Sequence, residues 1–292
     1  MNVDAHHHFW NPAREPMPWM QPDHAAIDRA FAPDDLKPLI AACGIASTVL
    51  VQAACSDADT NSMLVQARRH EWIGAVTAWV ALEVPGVARA RLDELATEPK
   101  LRGIRHLIHD EPDAHWILRP RVLEGLAILQ DRALILELPC VFPRHLGDVP
   151  ELAQRFPELT IVIDHLGKPP IGTPEMRRWE TQIRLAAAAP NVAAKVSGLN
   201  TALAARDWDA GDLRPSVEVA FDCFGPERLM IGSDWPVSLL NGSYERVWAE
   251  TSSAVAAVAG PDAGLVLGGT AARLYGLDEP STEQGASSGT AD

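Results

Sequence analysis

Three histidines stand in a row near the start of the chain, in Asp4-Ala5-His6-His7-His8-Phe9-Trp10, and Asp234 follows an apolar run near its end. In an extended segment side chains alternate, so His6 and His8 share a face and converge on one point while His7 turns away. Neutral imidazoles with one carboxylate can hold a divalent transition ion, which polarises a carbonyl and brings the pKa of bound water to about 7. Without metal, the histidines can polarise the same carbonyl while the aspartate takes a proton from the attacking water. Both routes lead to hydrolysis at an acyl carbon.

Other reactive types fall at the ends of apolar runs: Arg105-His106, Asp164-His165, Lys195 and Ser233-Asp234-Trp235, with Glu137 inside a run. A buried carboxylate such as Asp234 needs a partner or a cation, because an unpaired buried charge is expensive. Arg105 and Lys195 are open to two readings, as substrate contacts or as ion pairs that neutralise Glu137 or Asp234. His24, His70, His109 and His115 are expected at the surface, and His145 is left as a pocket candidate.

These side chains need a scaffold that gathers strand ends. Short β-rich runs at 3–9, 47–54, 73–82, 101–108, 133–140, 160–166, 192–199 and 228–235 alternate with helical periodicity, as at 59–70, 120–132, 148–157, 176–189, 213–224 and 243–258. Continuous apolar strands buried on both faces and separated by helices predict a parallel sheet. Eight such units in under 300 residues predict a single α/β domain, a (β/α)8 barrel over about 1–277, with its active site at the C-terminal strand ends. A doubly wound open sheet would carry a Gly-rich turn after its first strand, where this chain has His-His-Phe-Trp. The connection from Asn11 to about Asp34, rich in Pro, Met and Trp, is expected to wall the pocket. Residues 278–292 are acidic and Gly/Ser-rich and read as a disordered tail.

The 292 residues carry 47% hydrophobic and 22% charged side chains, the composition of a soluble protein with a full core. A net charge of −14 repels phosphate backbones and acidic membrane surfaces. No apolar run reaches the roughly 18 residues of a membrane span, and no signal peptide precedes the first strand, so a cytoplasmic enzyme is expected. The four scattered cysteines form no C-x-x-C pair and read as reduced core thiols.

The set Asp4–Trp10, Gly103-Ile104-Arg105-His106, Asp164-His165-Leu166-Gly167-Lys168-Pro169, Lys195–Leu199 and Gly232-Ser233-Asp234-Trp235-Pro236 resembles the lactonase branch of the amidohydrolase superfamily, from residue 3 to 276. That branch holds sugar lactonases and a pyrone dicarboxylate lactonase. The resemblance implies a distorted (β/α)8 TIM barrel that opens a lactone to its hydroxy acid. Asp234 would activate water, and His6, His8 and His165 would polarise the carbonyl or bind the ion. Arg105-His106 replaces the bridging lysine of binuclear relatives and Glu137-Leu138 the strand-five histidine, so at most one ion, zinc or manganese, is implied. His6, His8 and Asp234 would hold it.

The expected partner is a small lactone, with assembly into a homo-oligomer left open. Trp10, Trp19 and Trp79 offer flat walls for a sugar ring, Trp79 being the more core-like. Gln52, Arg105, His106 and Arg144 offer polar contacts to hydroxyls or a carboxylate. Alternatives are a dicarboxylate-type lactone hydrolase, an amide hydrolase or decarboxylase of the same superfamily, and a barrel that binds a ligand without turning it over.

Overall fold

The computed structural model describes residues 1–203 and 206–277; the tail expected at 278–292 lies outside the described residues. Eight parallel strands run in sequence order: β1 Asn2–His7, β2 Ile45–Val51, β3 Ile73–Ala78, β4 Leu101–Arg105, β5 Ile135–Leu138, β6 Ile161–Ile163, β7 Val192–Val196 and β8 Leu229–Ile231. Each is followed by a helix: α1 Pro33–Ala42, α2 Asp57–Arg69, α3 Pro85–Glu94, α4 Pro120–Asp131, α5 Val149–Arg155, α6 Met176–Ala187, α7 Ala210–Phe224 and α8 Tyr244–Ala259. A ninth helix, α9 Thr270–Tyr275, follows the last unit.

Local sequence explains many of the boundaries. Proline opens α1, α3 and α4, where its missing N–H has no intrahelical partner to lose. Ser56, Asp209 and Ser243 cap α2, α7 and α8 through their side-chain oxygens. All eight expected strands are present, but several stop earlier than their apolar runs. The chain leaves the ladder at β6 and β8 in left-handed turns, with φ of 54° at His165 and 58° at Asp234.

The sheet closes into a barrel where the first strand meets the last. Asp234 N–H donates to the His6 carbonyl at 2.8 Å, and His8 N–H to the Trp235 carbonyl at 2.7 Å. Outside, strand residues such as Leu50, Val76, Ile104 and Ile163 pack against the helix layer. Inside, Val3, Ala5, Val49, Val51, Ala75, Ile135, Val162, Ala193 and Met230 form an apolar floor joined by Ala271 and Tyr275 of α9.

Above that floor the barrel is charged. Lys195 and Glu137 are both fully buried and 2.5 Å apart. Thr77 and Tyr275 hydroxyls donate to the other Glu137 oxygen at 2.5 and 2.6 Å. Arg105 Nε donates to Asp164 Oδ2 at 2.7 Å. The two cations left with two readings by the sequence are therefore ion-paired, to Glu137 and Asp164, and neither is within pairing distance of Asp234.

The four cysteines are free thiols. Among the described residues no single helix is long and apolar enough to cross a membrane.

Removing one member of a buried pair leaves the other charge uncompensated. Lys195→Met is expected to cost about 3–5 kcal/mol, and the double variant Lys195→Met/Glu137→Gln to recover at least half of it. Urea midpoints at unchanged m-value read both quantities; a single variant as stable as wild type would disprove the pairing.

Candidate active site

The site forms where β1 and β8 join. β1 has a register shift between Asp4 and His7. Before it, Val3 and Ala5 face the barrel interior and Asp4 points outward to Tyr244 of α8. After it, His6 and His8 face inward and His7 turns out to Thr48 Oγ1 at 2.8 Å. The bulge thus changes the parity of the strand and brings both imidazoles to the mouth. Asp4, to which the sequence reading gave no role, staples the joint. Its Oδ1 accepts from His6 N–H at 3.2 Å and Ser233 N–H at 2.8 Å, and its Oδ2 from the Tyr244 hydroxyl at 3.0 Å.

Two glycines make the approach of these groups possible. A Cβ on Gly232 would lie 2.7 Å from His6 Cβ and 2.9 Å from His6 N. One on Gly198, at φ 59°, would lie 2.4 Å from Asp234 Oδ2 and 3.0 Å from His165 Nδ1. Trp235 packs edge-on against Phe9 and Phe31, ring centroids 6.0 and 5.1 Å away, which seats the strained Asp234 turn.

Three imidazoles surround Asp234 Oδ1: His8 Nε2 at 3.4 Å, His6 Nε2 at 3.7 Å and His165 Nε2 at 3.9 Å. Their tautomers follow from what stands behind them. His8 Nδ1 is 2.8 Å from the Val51 carbonyl, which only accepts, so Nδ1 carries the proton and Nε2 a lone pair. His6 Nδ1 is 3.3 Å from Asp164 Oδ1, a buried oxygen that Lys195 Nζ also approaches, at 3.6 Å. Lys195 Nζ is equally close to that nitrogen, at 3.3 Å, but has Glu137 nearer. A carboxylate oxygen only accepts, so with the Nδ1 proton directed to Asp164, His6 Nε2 is left with a lone pair. His165 Nδ1 meets the Ser197 hydroxyl at 2.9 Å.

Burial pushes His165 down to about 4 and His6 well below the usual histidine range, so both rings are neutral at pH 7. Burial alone would raise Asp234; His165, His8 and His6 outweigh it and hold the carboxyl below its usual range. At Asp164 burial is likewise overcome by His6, Lys195 and Arg105.

Two lone-pair nitrogens, His6 Nε2 and His8 Nε2, face each other at 3.1 Å beside a carboxylate. They need a proton or a cation between them. The spacing suits either: 3.1 Å is an ordinary hydrogen-bond length, and a point equidistant from both nitrogens and Asp234 Oδ1 lies about 2.0 Å from each, near the length of Zn–N and Zn–O bonds. These three residues form a cluster able to hold an ion. Asp164 and Val51 behind the two rings supply the outer hydrogen bonds typical of histidine ligands.

A cavity of about 520 Å3 opens above this point. Trp10, Trp19, Arg105, His8, His165 and Asp234 border it, as the sequence reading expected of site residues. Trp10 and Trp19 meet edge to face at 5.3 Å, and their indole N–H groups donate to the carbonyls of Ile27 and Ala53.

Three expected contacts lie elsewhere. Gln52 is fully buried, exchanging hydrogen bonds with Arg105. His106 stacks on Trp116 at 4.0 Å and bonds Glu111 and Trp79, so neither His106 nor Trp79 borders the cavity. Arg144 binds the carbonyls of His109, Glu111 and Pro112. His145 is buried against Val141 N–H, away from the cavity. Conversely, His24 and His109, expected at the surface, border the cavity with Asp23, Asp110, Lys168, Thr201 and Asn241. All come from the connections between strands and helices, some of them short 3-10 turns, whose placement no periodicity announces.

The sequence profile described as amidohydrolase matches residues 3–277. The L-fucono-1,5-lactonase of Burkholderia ambifaria is 38% identical over 97% of this chain and 98% of its own length. That of Burkholderia multivorans is 35% identical over 96% and 98%. The crystal structure of an amidohydrolase from Burkholderia multivorans with bound zinc superposes with a TM-score of 0.87, at 34% identity over 95% of this chain and all of that one. With its parallel barrel and a His-x-His joined to a late aspartate, the chain belongs to the amidohydrolase family.

Proposed function

We propose that the protein is a sugar lactonase that opens a 1,5-lactone of the L-fuconate type to its hydroxy acid, with one zinc ion held by His6, His8 and Asp234. The observation that carries this reading is the convergence of three imidazole nitrogens on Asp234 Oδ1 at the foot of a cavity walled by Trp10 and Trp19. Its support among known proteins is the 38% identity to a relative named for that reaction and the zinc in a relative of the same fold.

The chemistry follows from the protonation states. His6, His8 and Asp234 would hold the zinc ion, which would supply a Lewis acid for the lactone carbonyl and lower the pKa of a bound water. Asp234, whose carboxyl is held below its usual range, orients the attacking water and takes its proton as the C–O bond forms. The same proton then passes to the ring oxygen as the C1–O bond breaks, leaving a carboxyl group and a hydroxyl. His165, neutral and backed by Ser197, positions the Asp234 oxygen that the other two rings share. A dicarboxylate lactone suits this cavity less well. Arg105 is committed to Asp164, which among the described residues leaves Lys168 as one unpaired cation for two carboxylates, and Asp23 and Asp110 border the mouth with carboxylates that repel an anionic substrate.

Asp234→Asn is expected to lower kcat on L-fucono-1,5-lactone by about 10² to 10⁴-fold, measured by acid release from a panel of aldonolactones. Activity within twofold of wild type would remove the mechanism. Zinc added to the chelated protein is expected to raise the thermal midpoint, a shift that His8→Ala abolishes; equal shifts in both proteins would place the ion elsewhere. Gly198→Ala, which drives a methyl group into Asp234 and His165, is expected to lose at least tenfold in kcat while circular dichroism stays native.

A further inference from the structure

Four successive residues after β6 lie in the left-handed region: His165 (φ 54°), Leu166 (51°), Gly167 (69°) and Lys168 (55°). Residues other than glycine avoid that region, and such a run persists only where the surroundings over-determine it. Three hydrogen bonds do so. Lys168 N–H donates to the His165 carbonyl at 2.8 Å, Phe142 N–H to the Gly167 carbonyl at 2.9 Å, and Trp179 Nε1–H to the Leu166 carbonyl at 2.8 Å. Leu166 is buried, while His165 and Lys168 both border the cavity. The strained turn thus delivers two polar side chains to the site, and the reaction above uses only one.

The Lys168 ammonium enters no hydrogen bond or ion pair among the described residues, whereas the cavity's other strong cation, Arg105, is paired with Asp164. Asp110, from the connection between β4 and α4, borders the same cavity, and its nearest charged partner is His109 Nε2 at 3.7 Å. Lys168 and Asp110 are both exposed at the mouth of this cavity. Burial raises the Asp110 carboxyl, against which Arg105, His106 and Lys168 act; burial, Arg105 and Lys168 together push His109 down to about 3. They nevertheless form no ion pair with each other. An ammonium that only donates and a carboxylate that only accepts are left in one cavity, unspent on each other. A hydroxyl group accepts from the first and donates to the second.

We propose that Lys168 and Asp110 are a polyol-recognition pair, selecting lactones that carry adjacent hydroxyl groups over unsubstituted lactones of the same ring size. This assignment rests on the lactone-opening reading of the site. It divides the cavity into a hydroxyl-binding part and the indole faces of Trp10 and Trp19, which suit the apolar face of a sugar ring.

The test compares L-fucono-1,5-lactone with δ-valerolactone on wild type, Lys168→Met and Asp110→Asn. Each variant is expected to raise KM for the sugar lactone about 10- to 100-fold, with kcat within threefold and a loss on δ-valerolactone at least tenfold smaller. Equal losses on the two lactones, a loss carried by kcat, or unchanged KM in both variants would overturn the proposal. Should wild type open neither lactone, the lactone reading itself falls. The pair is then read by titrating L-fucose against tryptophan fluorescence: a Kd at least tenfold weaker in the variants upholds it, and an unchanged Kd overturns it.

Discussion

Three carboxylates, Glu137, Asp164 and Asp234, stand inside one barrel where water does not reach them freely, and the rest of the site is arranged around their neutralisation. Lys195 satisfies the first and Arg105 the second, each in a short, buried contact. Asp234 has imidazoles alone around it. In a low-dielectric interior a carboxylate left this way attracts a proton or a cation strongly. The deep pairs therefore do more than hold the barrel together. They use up the fixed cations, so that the remaining negative charge sits at the mouth, where substrate and solvent arrive.

Much of this was legible in the sequence because it follows simple periods. Eight apolar runs separated by helical stretches gave the barrel, and the strand ends offered His6, His8, His165 and Asp234 as candidates, which the fold brings together. What the period misses is the bulge in β1. Strict alternation from Val3 would carry Val3, Ala5 and His7 inward; the register shift is what turns His6 and His8 to the interior instead. The pairing of Arg105 and Lys195 was open in the sequence because both carboxylate partners are strands away, and register across the barrel decides it.

Loop residues were the least legible. Gln52, His106 and Arg144 have the right chemistry for a sugar site, yet each is held by backbone or side-chain partners that only the folded chain brings near. Lys168 carried a signal that could have been used: it lies in the same short motif as His165, and a motif's polar members often share a surface. His24, His109 and Asp110 carried none. They reach the cavity through the long β1–α1 connection and the β4–α4 connection, whose paths are set by packing on Trp10, Trp19 and Trp116.

The joint between β1 and β8 also bears on how the protein comes into being. A chain made from its N-terminus joins His6 and His8 to Asp234 only after nearly all of the barrel has been synthesised, because Ser233 and Asp234 arrive last. Until then β1 is paired on one side only, with β2. Catalytic competence therefore appears all at once, at closure of the ring. A partly made or nicked barrel lacking its last strand lacks Asp234, and with it the His6–His8–Asp234 cluster.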